Sequence, residues 1–339
     1  METKLFSTSS EDINAAGKIL KNGGLIAFPT ETVYGLGASA YDADAAEKIY
    51  AAKGRPSDNP LIVHICEKEQ IDEIAEDVTE EAKMVIDTFM PGPITIILKK
   101  KNIIPKTVTA GLDTVAIRFP AHNVARALIK AAGVPIAAPS ANLSGKPSPT
   151  KAIHVVNDMT GRIDGIIDGG DCNVGVESTI VDFTGDKPVI LRPGGITYED
   201  LKNAGIDAEI DKNILKSLSA DEVPKCPGMK YKHYAPNADV TVVEGEKTAV
   251  KNKIKELLEE NRNKITGVLS MNDADYDTAV ILNAGKDNKE YAKNLFSSLR
   301  EFDELGVEVV FAEFCEDDGY GLAVKNRLYK AAGQKVIHV

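Results

Sequence analysis

The sequence is poor in paired cysteines. Cys66, Cys172, Cys226 and Cys315 lie far apart, and no Cys-x-x-Cys occurs. A zinc ribbon or a disulfide framework is therefore a poor reading. Apolar stretches are strand-sized, far short of a membrane span. The opening Met-Glu-Thr-Lys-Leu-Phe-Ser holds no apolar core of the signal-peptide kind, so a cytoplasmic location is the expected default. Excess positive charge is also missing. The net charge is −11, which argues against a surface that grips nucleic acid throughout. A local basic pocket for a phosphate-bearing ligand remains compatible with it. There is no Gly-x-x-x-x-Gly-Lys-Ser/Thr, no Gly-x-Ser-x-Gly elbow and no His-Glu-x-x-His. A P-loop, a hydrolase elbow and a zincin helix are unsupported.

What is present is a long alternation of strands and helices. At 339 residues two domains are expected. Apolar spacing predicts helices over 11–22, 42–53, 124–132 and 198–204, and one amphipathic helix from Ile71 to Phe89. Short apolar runs predict strands at Leu25–Phe28, Leu61–Ile65, Ile94–Leu98, Val115–Phe119, 135–140, 165–170, 178–183 and 189–195. This is an α/β pattern with a mixed sheet. Residues 206–238 carry no clear period and several prolines, and read as a linker that could fold back as a lid. From 239 a second strand–helix rhythm suggests a small open parallel sheet. The expected domains are thus 1–205, the linker or lid 206–238, and 239–339.

Seven clusters could carry chemistry. The first is Pro29-Thr-Glu-Thr-Val-Tyr-Gly-Leu-Gly, directly after a buried strand. Its hydroxyls and carboxylate suit a ligand site at a sheet edge, and Gly35 and Gly37 would allow a sharp turn or a close ligand approach. An ordinary strand-to-helix loop would look similar. The second is Lys53-Gly-Arg55-Pro-Ser-Asp-Asn59-Pro, where a point charge and a planar fork could hold phosphate oxygens. Taken alone it reads more simply as a solvated basic helix end. His64 lies in an apolar strand, where a histidine is ordinarily a packed core residue.

Arg118 sits inside Val-Ala-Ile-Arg-Phe, near Thr114, and a buried guanidinium needs an anionic partner. Glu31 would satisfy it, and so would a substrate carboxylate. Pro139-Ser140-Ala-Asn142-Leu-Ser144-Gly-Lys-Pro-Ser148 offers hydroxyls, an amide and backbone N–H groups of the kind that cradle a phosphate. The same residue types also make turns. Glu177-Ser178-Thr179 and Arg192-Pro-Gly-Gly end two further strands. In the linker, Pro227-Gly-Met-Lys-Tyr231-Lys-His-Tyr-Ala-Pro is rich in functional side chains.

Taken in order, Pro29-Thr-Glu-Thr-Val-Tyr-Gly-Leu-Gly, Lys53-Gly-Arg-Pro, Asn59-Pro-Leu, Pro139-Ser-Ala-Asn-Leu-Ser-Gly, Glu177-Ser-Thr and Arg192-Pro-Gly-Gly resemble the threonylcarbamoyl-AMP synthases, the YrdC-like family. The linker motif and the C-terminal segment resemble its long two-domain form. The resemblance implies a twisted mixed open sheet with helices around a concave basic cavity, followed by a small Rossmann-like domain. It implies condensation of L-threonine, bicarbonate and ATP to threonylcarbamoyl-AMP with release of pyrophosphate. Magnesium would assist, held mainly by phosphates and water.

By the same resemblance, Thr32, His64, Arg118, Ala138 and Ser178 would hold threonine. Lys53, Arg55, Asn59, Thr114, Ser140, Asn142, Ser148 and Arg192 would hold the nucleotide, with Lys53 and Arg55 the expected catalytic cations. Tyr231 would cover them. A downstream tRNA threonylcarbamoyl-transferase is the expected partner, with at most a weak contact to tRNA and none to a membrane. The competing readings are an RNA-binding module without adenylation activity, which the net charge opposes, and a carbamoyl-transfer accessory, which would ordinarily carry extra cysteines.

Overall fold

A computed structural model of the chain describes residues 1–339 except 55, 216–223, 228–232, 272–274, 279, 315 and 317. The described residues form two compact units. The first contains 1–144, 148–214 and 224–227; the second contains 145–147, 215 and 233–339.

The first unit is built on one large mixed sheet. Across it, in order, run Lys4–Phe6, Gly165–Ile167, Ile26–Phe28, Gly35–Ser39, Ile136–Ala138, Ile62–His64, Thr114–Arg118, Ile94–Lys100, Thr179–Asp182, Val189–Arg192 and Glu209–Ile210. Most of these strands are apolar along their length, because the sheet is covered on both faces. The helices form where capping and spacing agree. Ser9 accepts from Asp12 N to start Ser10–Lys21, and Asp42 accepts from Asp44 N and Ala45 N to start Ala43–Lys53. Gly54, at φ 64°, closes the latter in the left-handed region.

Two expectations change. The single helix over 71–89 is two helices, Gln70–Ile74 and Glu80–Phe89. Between them Ala75–Glu76 pairs antiparallel with Lys99 and Lys100, and Thr79 caps the second helix through Ala82 N. Sheet pairing overrides the helical spacing there. Gly35 and Gly37 are not turn residues either, since both lie in the strand Gly35–Ser39. A Cβ on Gly37 would sit 2.7 Å from Ile136 Cγ2 and 2.9 Å from the Phe28 ring. Their smallness makes room for core side chains.

One sheet face is covered by apolar groups at two places. At the first, Ile13, Ala16 and Leu20 of Ser10–Lys21 and Leu128, Ile129 and Ala132 of Asn123–Ala132 pack on Phe28 and Ile136. Burying a Leu or Ile side chain contributes about 1.5–3 kcal/mol each, so this cluster anchors the helices. At the second, Ile62, Ile97, Ala116 and Ile180 pack with Cys226. Cys226 lies in the segment read as linker. The described residues 224–227 are therefore seated on the sheet of the first unit.

The second unit is a parallel five-stranded sheet in the order Val280–Gly285, Thr266–Met271, Val309–Phe314, Asp239–Glu244 and Val336–His338. Helix Lys247–Glu260 packs on the central strands, and Asn288–Glu304 packs against Gly321–Ala331. Tyr234 stacks on Phe296 at 5.0 Å between ring centroids, and Arg300 donates to Pro147 O through Nη2 at 2.6 Å. No described helix is long and apolar enough to cross a membrane.

Candidate active site

Strand register assembles the site. His64 pairs with Arg118 across the parallel strands Ile62–His64 and Thr114–Arg118, and with Ile136 on the other side. Ala138 lies opposite Ile62, and Ile97 opposite Ala116. Side chains alternate along a strand, so Ala138, His64, Arg118 and Thr95 share one face. Ile180 pairs with both Thr95 and Arg192 and carries that face onward.

The loop after Ile26–Phe28 is fixed by its own hydroxyls. Thr30 Oγ1 donates to Val33 O at 2.6 Å and accepts from Thr32 N and Val33 N, both at 3.2 Å. Thr32 Oγ1 lies 2.8 Å from Thr30 Oγ1 and is fully buried. Tyr34 Oη donates to Gly170 O at 2.8 Å and accepts from Gly169 N, which ties this loop to 169–170. Burial holds that phenol above its usual range.

Arg118 meets Glu31. Its Nη2 lies 2.7 Å from Glu31 Oε1, and both side chains are buried. Burial alone would push the Glu31 carboxyl up. The adjacent guanidinium, by charge and hydrogen bond, overrides this and holds it below the usual carboxylate range. Of the two partners anticipated for Arg118, the protein supplies the structural one. His64 stands beside the pair, its Nδ1 3.0 Å from Ile62 O and its ring edge-on to Phe28. Burial first, and the Arg118 cation second, depress its pKa to about 3. At neutral pH the ring is uncharged, and Nδ1–H donates to the carbonyl.

A second group surrounds Ser178. Its Oγ lies 2.7 Å from Thr95 Oγ1 and accepts from Arg192 Nη2 at 3.2 Å, while Arg192 Nε donates to Ser178 O. Arg192 Nη1 also donates to Pro227 O at 3.3 Å. Gly194 lets this turn approach, since a Cβ there would lie 2.2 Å from Glu177 O. At Gly194 the close approach is made to backbone.

Lys53, buried at the end of its helix, donates to Ser140 O and Asn142 O at 2.5 and 2.7 Å. Ser140 Oγ donates to Asn142 Oδ1, and Ser148 Oγ to Glu177 Oε1, each at 2.5 Å. Asn59 and Thr114 lie toward the N-terminal ends of the same strand pair that carries His64 and Arg118 at its C-terminal ends. Tyr50 Oη lies 3.0 Å from Asn59 O, and Thr114 lines a cavity of about 480 Å³ with Lys100 and Asn102. Arg55 and Tyr231, also expected at the site, fall outside the described residues. Sequence reasoning missed Thr95, the hydroxyl beside Ser178. Its signal was a polar residue inside the apolar run Ile94-Thr-Ile-Ile-Leu.

Two family models match the chain. The Sua5, YciO and YrdC model, described as "Telomere recombination", matches residues 18–194. That of the "Threonylcarbamoyl-AMP synthase, C-terminal domain" matches residues 196–333. The threonylcarbamoyl-AMP synthase of Pyrococcus abyssi is 48% identical over 328 residues, which cover 96% of each chain. That of Bacillus subtilis is 47% identical over 340 residues, covering 99% of this chain and 97% of its own. The chain belongs to the threonylcarbamoyl-AMP synthases. It is therefore an enzyme, and the resemblance carried by the ordered motifs holds. A crystal structure of P. abyssi Sua5 complexed with L-threonine matches with a TM-score of 0.95 at 46% identity, covering 99% of this chain and 100% of that one. Escherichia coli YciO matches at a TM-score of 0.52 and 26% identity, covering 57% of this chain and 96% of its own.

Proposed function

We propose that this chain condenses L-threonine, bicarbonate and ATP into threonylcarbamoyl-AMP, releasing pyrophosphate. The observation that carries the proposal is the strand pair Ile62–His64 and Thr114–Arg118. One end presents a buried guanidinium and a neutral imidazole, which suit an amino acid. The other end presents Thr114, four residues before Arg118, and Asn59, five before His64. Four residues of strand span about 13 Å, enough to lay a nucleotide beside an amino acid on one face. The complex of P. abyssi Sua5 with L-threonine supports this reading.

In the reaction, threonine's amine attacks bicarbonate, giving a carbamate and water. A carbamate oxygen then attacks the α-phosphorus of ATP, and pyrophosphate leaves. On this reading Thr32, His64, Arg118, Ala138 and Ser178 hold threonine, with Arg118 on its carboxylate. Lys53, Arg55, Asn59, Thr114, Ser140, Asn142, Ser148 and Arg192 hold ATP, and Tyr231 covers it. The chain positions reactants and neutralises charge rather than supplying a nucleophile. Magnesium would come with the ATP phosphates, held mainly by them and by water. The product would pass to a separate transferase that acts on tRNA in the cytoplasm.

The test is pyrophosphate release with bicarbonate, ATP and magnesium present. Release that depends on L-threonine is expected. Release that ignores threonine, or none at all, overturns the proposal.

A further inference from the structure

The Arg118–Glu31 pair is incomplete as an ion pair. A guanidinium and a carboxylate buried together normally meet through two parallel hydrogen bonds, which satisfies both groups at once. Here a single bond joins Arg118 Nη2 to Glu31 Oε1 at 2.7 Å. Arg118 Nε and Glu31 Oε2 are both buried and make no well-formed hydrogen bond in the protein, although the backbone N–H groups of Glu31 and Ala121 lie near enough to the carboxyl to favour its charge. The residues are 4% and 9% exposed. Leaving one charged donor and one charged acceptor of the same pair unmatched is costly for a purely structural pair. It suits a ligand that brings an anion and a cation together.

We propose that Glu31 holds the α-ammonium group of the amino acid, through Oε2, while Arg118 Nε takes its α-carboxylate. The two charged ends of a free α-amino acid stand on one carbon, as the two open valences stand on one ion pair. This rests on the function proposed above and adds a residue to it. Thr30 Oγ1, 3.5 Å from Arg118 Nη2, keeps the guanidinium aligned with the loop that carries Glu31. The site then selects for a free amino group. It rejects the hydroxy acid, which brings no cation to Glu31, and an N-acylated amino acid, whose nitrogen is neutral. Glu31 is a positioning group here rather than the base, because Arg118 keeps it charged and weakly basic.

The test compares two ligands on the full chain by calorimetry: L-threonine and its α-hydroxy isostere, 2,3-dihydroxybutanoate of the same configuration. The wild type should bind threonine about 10- to 100-fold more tightly, the range of a buried charged hydrogen bond. In Glu31→Gln that preference should collapse. Threonine should weaken by a similar factor, while the hydroxy acid binds at least as well, since Arg118 then has the ligand carboxylate as its only anion.

If Glu31 merely props Arg118, both ligands weaken together and the ratio stands, which overturns the proposal. Equal binding of both ligands by the wild type overturns it without any variant, so a misfolded Glu31→Gln would not shield it. Glu31→Asp, which keeps the charge, should retain part of the preference. Threonine-dependent turnover with an unmoved ratio sinks only the assignment of Glu31. A wild type that binds neither ligand and makes no pyrophosphate sinks the proposed function as well.

Discussion

Lys53 Nζ lies 2.5 Å from Ser140 O and 2.7 Å from Asn142 O. The last residue of one helix thereby holds the shape of a loop almost ninety positions further on. The ammonium is buried, so the carbonyls it satisfies would lose their partner on its removal. Lys53→Met should cost about 1.5–3 kcal/mol of stability, read from urea unfolding. It should also weaken ATP binding, read by titration. Unchanged stability would show that the loop holds without the lysine.

His64 sets a pH dependence. Its folded pKa of about 3 lies below the ordinary 6.5. The unfolded chain therefore binds the proton first, and folding stability falls as pH drops from about 6.5 toward 3. Glu31 acts in a lower window. Its stabilisation is present above the ordinary 4.5 and is lost as pH falls through its depressed folded value. His64→Asn should flatten the slope between 6.5 and 4.5 and leave the steeper loss below it. Superimposable stability curves for the two proteins would refute this.

Gly194 faces backbone. A methyl group there would meet Glu177 O at 2.2 Å, Thr179 N at 2.4 Å and Ser178 C at 2.5 Å. None of these atoms can swing aside as a side-chain tip would. Gly194→Ala should cost about 1–3 kcal/mol or more and lower the thermal midpoint. Because Arg192 and Ser178 share this turn, threonine turnover should fall with it. A variant as stable as the wild type would mean that the turn has room not seen in this structure.

Cys226 tests the segment 224–227. It is fully buried among Ile62, Ile97, Ala116 and Ile180, whereas Cys66 is half-buried. In a Cys315→Ser background, a thiol reagent should label Cys66 first. Cys226 and the buried Cys172 should wait for unfolding. Labelling of Cys226 as fast as Cys66 would argue that this segment leaves the sheet readily.

The fold class was legible because strand and helix periods alternate along the whole chain. Arg118 stood out as a candidate because a charged residue sits within an apolar strand, and it is indeed buried and paired with a carboxylate. Glu31 was anticipated as a partner beside a substrate carboxylate, but the choice between the two was not legible, because the meeting of residues 31 and 118 depends on sheet order. Strands from distant parts of the chain interleave there, and no local pattern records it. Ile71–Phe89 misled for a related reason, since apolar spacing does not reveal that Ala75–Glu76 is taken by a strand edge. Gly35 and Gly37 misled because a glycine that yields space to Phe28 and Ile136 looks the same in sequence as one that turns. The strand Val336–His338 is too short to announce itself.

The pairing of Lys4–Phe6 with Gly165–Ile167 has a consequence for biosynthesis. The first strand leaves the ribosome some 160 residues before its neighbour, the separation also spanned by the Thr3–Ile163 hydrogen bond. At 5–20 residues per second that is a wait of roughly 8–30 s. Ile26–Phe28 waits for the same partner, and Glu31 waits for Arg118. The strand and loop that carry Glu31 are thus translated early and wait for partners far along the chain. A nascent chain arrested before Gly165 should be digested readily by protease, whereas one that has cleared Arg192 should resist.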